Sequence, residues 1–290
     1  EVRGGSCSCV QYARCMYTCQ AERGRILNES PYYADESVTL YHGEALAVLA
    51  SLPTGSVDAV VADPPYSSGG MMRGDRAQAT VAKYVTSQNT RRDELLNFSG
   101  DSRDQRSYAY WSALWLSEAH RVTAPGGVCL TFSDWRQLPA TTDSIQAGGW
   151  VWRGIVPWSK VNARPQSGRF SAQCEYVVWG SHGAMPQDWT APTLPGFFEA
   201  SAPKQREHIT QKPLDVMRQL VRIVPPGGVI LDPFIGSGTT GVAAVLEGRR
   251  FVGVEQVEHF AEVALTRIRE ASGQAVARGS QPALDFGEGA

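Results

Sequence analysis

Apolar and polar positions alternate over residues 37–41, which predicts a strand, and residues 43–52 read as a turn followed by a short helix. Val57–Ala62 is a short, almost continuous apolar run, the pattern of a strand buried on both faces of a parallel sheet. From 67 to 106 the chain turns polar, rich in Gly, Ser, Thr, Asn and Arg, and a loop of that length inside a compact domain implies a function. Tyr110, Leu114, Trp115 and Ala119 then recur at helical spacing over 107–122, closing at Pro125-Gly126-Gly127. Further strands are predicted at 128–132, 150–158 and 174–179, with a helix at 137–147 between the first two. After a proline-rich stretch at 181–207, helix 213–224 opens a regular alternation. It continues as strand 229–231, helix 239–247, strand 251–254 and helix 257–271.

This alternation predicts an α/β fold built on a mostly parallel sheet. Residues 32–271 form the expected catalytic domain, with 67–106 as an insertion and 181–207 as a loop region. Residues 1–31 read as a poorly ordered extension and 272–290 as a flexible tail. No apolar run approaches the ~20 residues of a membrane span and no signal peptide is legible, so a cytoplasmic location is expected. The formal net charge of −2 is no global sign of nucleic-acid binding, so DNA contacts would have to come from local basic patches. Cys7, Cys9, Cys15 and Cys19 crowd the extension, but their spacing matches no assignable zinc pattern and no metal is expected. Cys129 and Cys174 lie in apolar surroundings and read as buried thiols.

Two motifs carry chemistry. In Leu231-Asp232-Pro233-Phe234-Ile235-Gly236-Ser237-Gly238-Thr239-Thr240 a strand passes into a helix. Gly236 and Gly238 allow a tight turn and close approach of a ligand, and Thr239 and Thr240 suit a helix start. Asp232 would place negative charge near a sulfonium, and Glu255, at the end of the next strand, could accept from ribose hydroxyls. The glycine spacing also fits a dinucleotide site; the second motif decides between them. Asp63-Pro64-Pro65-Tyr66 follows the buried strand Val57–Ala62. An exocyclic amino group is a poor nucleophile because its lone pair is delocalised into the ring. The Asp63 carboxylate and Pro64 carbonyl are acceptors for its two N–H bonds. Pro65 removes a competing donor, and Tyr66 offers a flat face to a base taken out of the duplex.

In this order the motifs resemble the permuted β class of amino-methylating DNA methyltransferases, over roughly residues 37–267. Val57–Ala62, Pro125-Gly126-Gly127 and His208-Ile209-Thr210-Gln211-Lys212-Pro213 add to the likeness. The resemblance implies a seven-stranded Rossmann-like sheet with S-adenosylmethionine at the strand ends and direct methyl transfer to nitrogen. It implies that Lys212 and Pro213 lie against the methionine end of the cofactor, and that Phe234 belongs to the cofactor site. Glu44 stands where the family usually has Asp and would reach the cofactor adenine. Asp-Pro-Pro-Tyr resembles the adenine-N6 branch; cytosine-N4 transfer is the alternative, with RNA or amide methylation and a silent binding module behind it.

The expected partner is double-stranded DNA. Basic residues for it lie in the insertion at Arg73, Arg76, Lys83, Arg91, Arg92, Arg103 and Arg106, and beyond it at Arg153, Lys160, Arg164 and Arg169. The tail segment Gln281-Pro282-Ala283-Leu284-Asp285-Phe286 resembles peptides that dock on bacterial sliding clamps, and a homodimer is a further expected assembly.

Overall fold

The computed structural model describes residues 30–66, 103–161, 167–168, 170–186, 193–201 and 211–279. The cysteine-rich extension, the clamp-like tail, and Arg73, Arg76, Lys83, Arg91, Arg92, Arg164 and Arg169 lie outside them. Nine strands and six helices are present among the described residues. In chain order these are β1 (Tyr33–Ala34), β2 (Val38–His42), α1 (Ala45–Ser51), β3 (Val57–Ala62), α2 (Gln105–Val122), β4 (Thr123–Ser133), α3 (Leu138–Ala147), β5 (Val151–Ser159) and β6 (Cys174–Ser181). They continue with β7 (Phe198–Glu199), α4 (Leu214–Val221), β8 (Val229–Asp232), α5 (Thr239–Leu246), β9 (Arg250–Glu255) and α6 (Glu258–Gly279).

All nine strands join one sheet in the order β1-β2-β9-β8-β3-β4-β6-β5-β7. The five central strands from β2 to β4 are parallel, while β6 runs antiparallel between β4 and β5. Seven strands were expected; the two extra ones are two-residue pairings at the outer edges, β1 and β7. Such short edges carry no periodic signal, and β7 sits inside the stretch that reads as a loop.

Each face of the sheet is covered by three helices. Val216, Met217 and Leu220 of α4, Val242 and Ala243 of α5, and Ala264 and Ile268 of α6 pack on one face. Val48 and Leu49 of α1, Trp115, Leu116 and Ala119 of α2, and Ile145 of α3 cover the other. Helix α2 starts where Asp104 accepts hydrogen bonds from the Arg106 and Ser107 N–H groups, a side-chain N-cap. Within β3, Asp58 is the exposed exception to the apolar run, and its Oδ2 accepts from Val229 N–H at 2.7 Å, tying β3 to β8.

Two boundaries depart from the sequence reading. Strand β4 already begins at Thr123, so Pro125-Gly126-Gly127 lies inside it instead of before it. Val57 pairs with Thr123 and Ala59 with Val128, so the intervening residues bulge out of the ladder there. Helix α6 runs on to Gly279, so the first part of the expected flexible tail is helical. Ala271 is the last buried side chain described in it, at the end of the predicted helix.

Candidate active site

Strands β8 and β3 are parallel neighbours, but the helices that follow them go to opposite faces: α5 after β8, and α2 on the far side after β3. Connections that leave in opposite directions open a crevice at the carboxyl ends of the two strands, the usual ligand position in such sheets. Asp232 ends β8 and Asp63 follows β3, so both motifs face this crevice.

At β8 the Asp232 carboxylate is almost fully buried. Oδ1 accepts from Phe234 N–H at 2.9 Å and Oδ2 from the Thr240 hydroxyl at 2.6 Å. Burial pushes its pKa up to about 7. Glu255, at the end of β9, accepts from Gly236 N–H and Val257 N–H at 2.9 Å each, one on each oxygen. Burial raises its pKa as well. A carboxylate has about four acceptor positions, so both oxygens of Glu255 retain capacity for hydroxyl donors. Phe234 leans on α2, with its ring centroid 5.4 Å from Trp111 and 5.2 Å from Trp115.

Gly236 and Gly238 both have left-handed φ angles, 51° and 84°. A Cβ on Gly238 would fall 2.9 Å from Ala264 of α6, into helix packing. Gly238 is therefore a packing residue of the turn. Thr239 is buried in the first turn of α5. Glu44 is exposed and caps α1, accepting from Ala47 N–H at 3.0 Å.

At β3 the geometry is more closed. Lys212 is almost fully buried, and its Nζ donates to Asp63 Oδ2 at 2.6 Å and to the Tyr66 hydroxyl at 3.3 Å. The same ammonium lies 3.3 Å from Glu175 Oε2, which also accepts from the Tyr66 hydroxyl at 3.1 Å. Glu175 Oε1 in turn pairs with Lys160. Asp63 Oδ1 is buried with no hydrogen-bond partner among the described residues. Burial works against the Lys212 charge, but the two carboxylates outweigh it and raise its pKa. Burial also opposes the Glu175 charge, yet Lys212 and Lys160 hold its pKa down at about 2. Burial pushes the Asp63 carboxyl upward; Lys212 opposes this and Glu175 adds to it.

The resulting arrangement is an orphan carboxylate oxygen with its twin clamped by a lysine, beside a second pair of strand-end carboxylates and a glycine turn. It suits a donor-rich small group at Asp63 and a hydroxyl-bearing, cationic ligand at Asp232 and Glu255. A family model described as DNA methylase, covering N6 and N4 enzymes, matches residues 57–195 and 197–266. The chain belongs to this DNA methylase family.

The methylase is 25% identical over 268 residues to the Type II methyltransferase M2.LlaDCHI of Lactococcus lactis subsp. cremoris, covering 85% of this chain and 95% of that one. Against the Type II methyltransferase M2.MboI of Moraxella bovis the figures are 24% over 266 residues, 83% and 91%. Among solved structures, the cytosine-N4-specific PvuII DNA methyltransferase superposes with a TM-score of 0.61 at 17% identity, covering 87% of this chain and 97% of that one. TTHA0409 of Thermus thermophilus, complexed with S-adenosyl-L-methionine, gives 0.55 at 23%, with 80% and 95% covered. These likenesses place the methylase in the methyltransferase fold.

Several predicted site residues have partners within the protein that the sequence reading does not give them. In the methylase Lys212, read as a cofactor contact, has its ammonium on Asp63. Pro213 is buried directly before α4. Lys160, read as a phosphate contact, is paired with Glu175 and lies over the Trp158 ring. Arg153 donates to Ser181 Oγ and the Gly183 carbonyl, towards the far end of the sheet from Asp63. The Trp152 and Gly154 positions beside it register with Gly180 and Trp179, level with Cys129 and Leu130 of β4 and so below the catalytic edge. Glu175 goes unseen in sequence: a single acid at the start of an apolar strand has no motif around it, and only the antiparallel insertion of β6 brings it to Asp63. Among the described residues, no group of three or more His, Cys, Asp or Glu could hold a metal ion, and no helix is long and apolar enough to cross a membrane.

Proposed function

We propose that this methylase transfers a methyl group from S-adenosylmethionine to N6 of adenine in double-stranded DNA. The observation that carries the reading is Asp63 Oδ1, a buried acceptor without a partner among the described residues, beside a carboxylate oxygen that Lys212 already holds. An unpaired buried acceptor is costly unless a ligand satisfies it. Oδ1 accepts one N–H of the amino group, and the Pro64 carbonyl accepts the other. Together they favour a pyramidal nitrogen whose lone pair is free to attack. Tyr66 is pinned through its hydroxyl, with Lys212 5.5 Å from its ring centroid, and its side chain is buried, so stacking on a base requires the ring to become exposed.

When bound, S-adenosylmethionine supplies an electrophilic methyl group on a sulfonium. Asp232 would stabilise that cation, Glu255 would accept from the ribose hydroxyls, and Phe234, Gly236, Thr239 and Thr240 would form the wall around it. Affinity for the duplex is assigned to Arg73, Arg76, Lys83, Arg91 and Arg92, on their clustering in the sequence alone. The likeness to Type II methyltransferases supports a place in restriction-modification.

A labelled-methyl assay on duplex DNA, followed by digestion to nucleosides and mass spectrometry, tests the reading. N6-methyladenine is the expected product. N4-methylcytosine would replace the adenine assignment with the reading that the PvuII likeness favours, and no transfer to DNA would overturn both.

A further inference from the structure

Asp63 is one end of a row of four charges of alternating sign. Lys212 bridges Asp63 Oδ2 and Glu175 Oε2, and Lys160 closes the row on Glu175 Oε1. The fold assembles this row from separate elements. Glu175 is the second residue of β6, whose start reaches the catalytic edge only because β6 runs antiparallel to β4 and β5. Lys160 follows the end of β5, and Lys212 precedes α4. The motifs account for Asp63 and Lys212 but for neither Glu175 nor Lys160.

We propose that Glu175, backed by Lys160, is a positioning residue for methyl transfer: it shares the Lys212 ammonium and so sets how tightly Lys212 holds Asp63. This rests on the reading of Asp63 as the acceptor for the reacting amino group. Asp63 must be ionised to accept at Oδ1, yet must not be drawn so hard onto Lys212 that the carboxylate turns from the crevice. Lys212 meets the first need, and a second carboxylate on the same ammonium meets the second. Through Tyr66, whose hydroxyl donates to Glu175 Oε2, the same residue also fixes the ring that follows the two prolines.

Other charged and titratable groups face the row without joining it. Asp134, beyond β4, lies within electrostatic reach of Glu175, and Asp232 of β8 and Tyr108 of α2 lie within reach of Asp63. Glu175→Gln also removes a like charge from Asp134 and lowers its pKa, whereas the Lys160 ammonium acts on Asp63 and Glu175, so the row is read from the two variants together. Removing the Glu175 charge takes a like charge away from Asp63 and gives it a larger share of Lys212; both effects favour its ionised form. Removing the Lys160 charge leaves Glu175 uncompensated and disfavours the ionised form of Asp63.

The test is the acid limb of kcat/KM for DNA at saturating S-adenosylmethionine, in Glu175→Gln and Lys160→Met of the full chain. Such a limb reports groups of the enzyme that must be ionised. In Glu175→Gln it is expected to move to lower pH by roughly one unit, the usual scale for a neighbouring charge, while the plateau falls. In Lys160→Met it is expected to move to higher pH. A loss of plateau activity with an unmoved limb, or limbs moving the same way, would reduce Glu175 to a structural role and overturn the proposal. Lys160 is partly exposed, so its variant stands as a test even if Glu175→Gln does not fold, and an unmoved limb there is sufficient to overturn it. If the parent transfers no methyl group, the functional reading fails by itself; carbon NMR titration of the Asp63 carboxyl still reads the coupling, with the same opposite shifts expected and equal values overturning it.

Discussion

The Thr240 hydroxyl, in the first turn of α5, donates to Asp232 Oδ2 at 2.6 Å, so the helix that follows the glycine turn grips the acid that precedes it. That grip does not offset burial, and the Asp232 pKa stands at about 7 against an ordinary 3.8. A raised carboxyl pKa means that the folded chain holds its proton longer than the unfolded one. Its contribution to stability is therefore full below pH 3.8 and is lost as pH rises through 7. Asp232→Asn, which has no proton to lose, should gain on the parent across that window, by on the order of a few kcal/mol at most. Urea unfolding at about pH 4 and about pH 8 checks this, with a larger gap expected at the higher pH. Calorimetry should show the same variant binding S-adenosylmethionine more weakly.

Gly238 gives an opposite kind of outcome. Its Cβ would meet Ala264 at 2.9 Å in a left-handed backbone, so Gly238→Ala is expected to destabilise the fold by roughly 1–3 kcal/mol through overpacking and strain. Equilibrium unfolding measures the loss. Cofactor affinity in the fraction that stays folded should change far less than stability.

Asp63→Ala removes the orphan acceptor, so methyl transfer should be lost while S-adenosylmethionine binding persists. Tyr66→Phe deletes only the hydroxyl, which accepts from Lys212 and donates to Glu175, and should retain much of the activity that Tyr66→Ala loses. Single-turnover transfer measured beside cofactor calorimetry distinguishes these variants. Near-parental transfer in Asp63→Ala would end the proposed chemistry.

Trp135 follows β4 at the catalytic edge and is 56% exposed, with the Arg136 guanidinium 5.1 Å from its ring centroid. Asp134 Oδ1 accepts from Arg136 and Gln137 N–H groups, so the turn that carries the ring is fixed. A rigid exposed aromatic beside a cation is a surface for stacking on bases. Trp135→Ala should weaken duplex binding in a fluorescence-anisotropy titration without altering cofactor affinity or unfolding. Unchanged DNA affinity would leave the ring without this role.

The strands are legible because burial on both faces leaves runs such as Val57–Ala62 that few other structures produce. Both strand-end motifs are legible for a different reason: each is a contiguous peptide whose backbone restrictions show in Pro and Gly. What escapes is lateral. Lys212 reads as one lysine before a helix, and nothing local says that its ammonium crosses to Asp63. Lys160 and Arg153 count as basic residues in residues 144–174, which hold no Asp or Glu, but Glu175 lies just beyond that stretch and strand register carries Arg153 away from the edge. Sequence marks Gly238 as a necessary glycine but does not show its packing against Ala264, because it cannot tell which side of a turn is crowded.

The pairing of β2 with β9, and the packing of α6 on β2, sets the first and last long elements of the described fold side by side at one margin of the sheet. A fold whose first and last long described elements are neighbours is topologically almost a ring. Joining them through a short linker and reopening the backbone between β7 and α4 would put the glycine turn ahead of the Asp-Pro-Pro-Tyr turn without moving a strand. The linear order of the two motifs is then an accident of where the ring is cut, while the crevice between β8 and β3 depends only on which strands are neighbours.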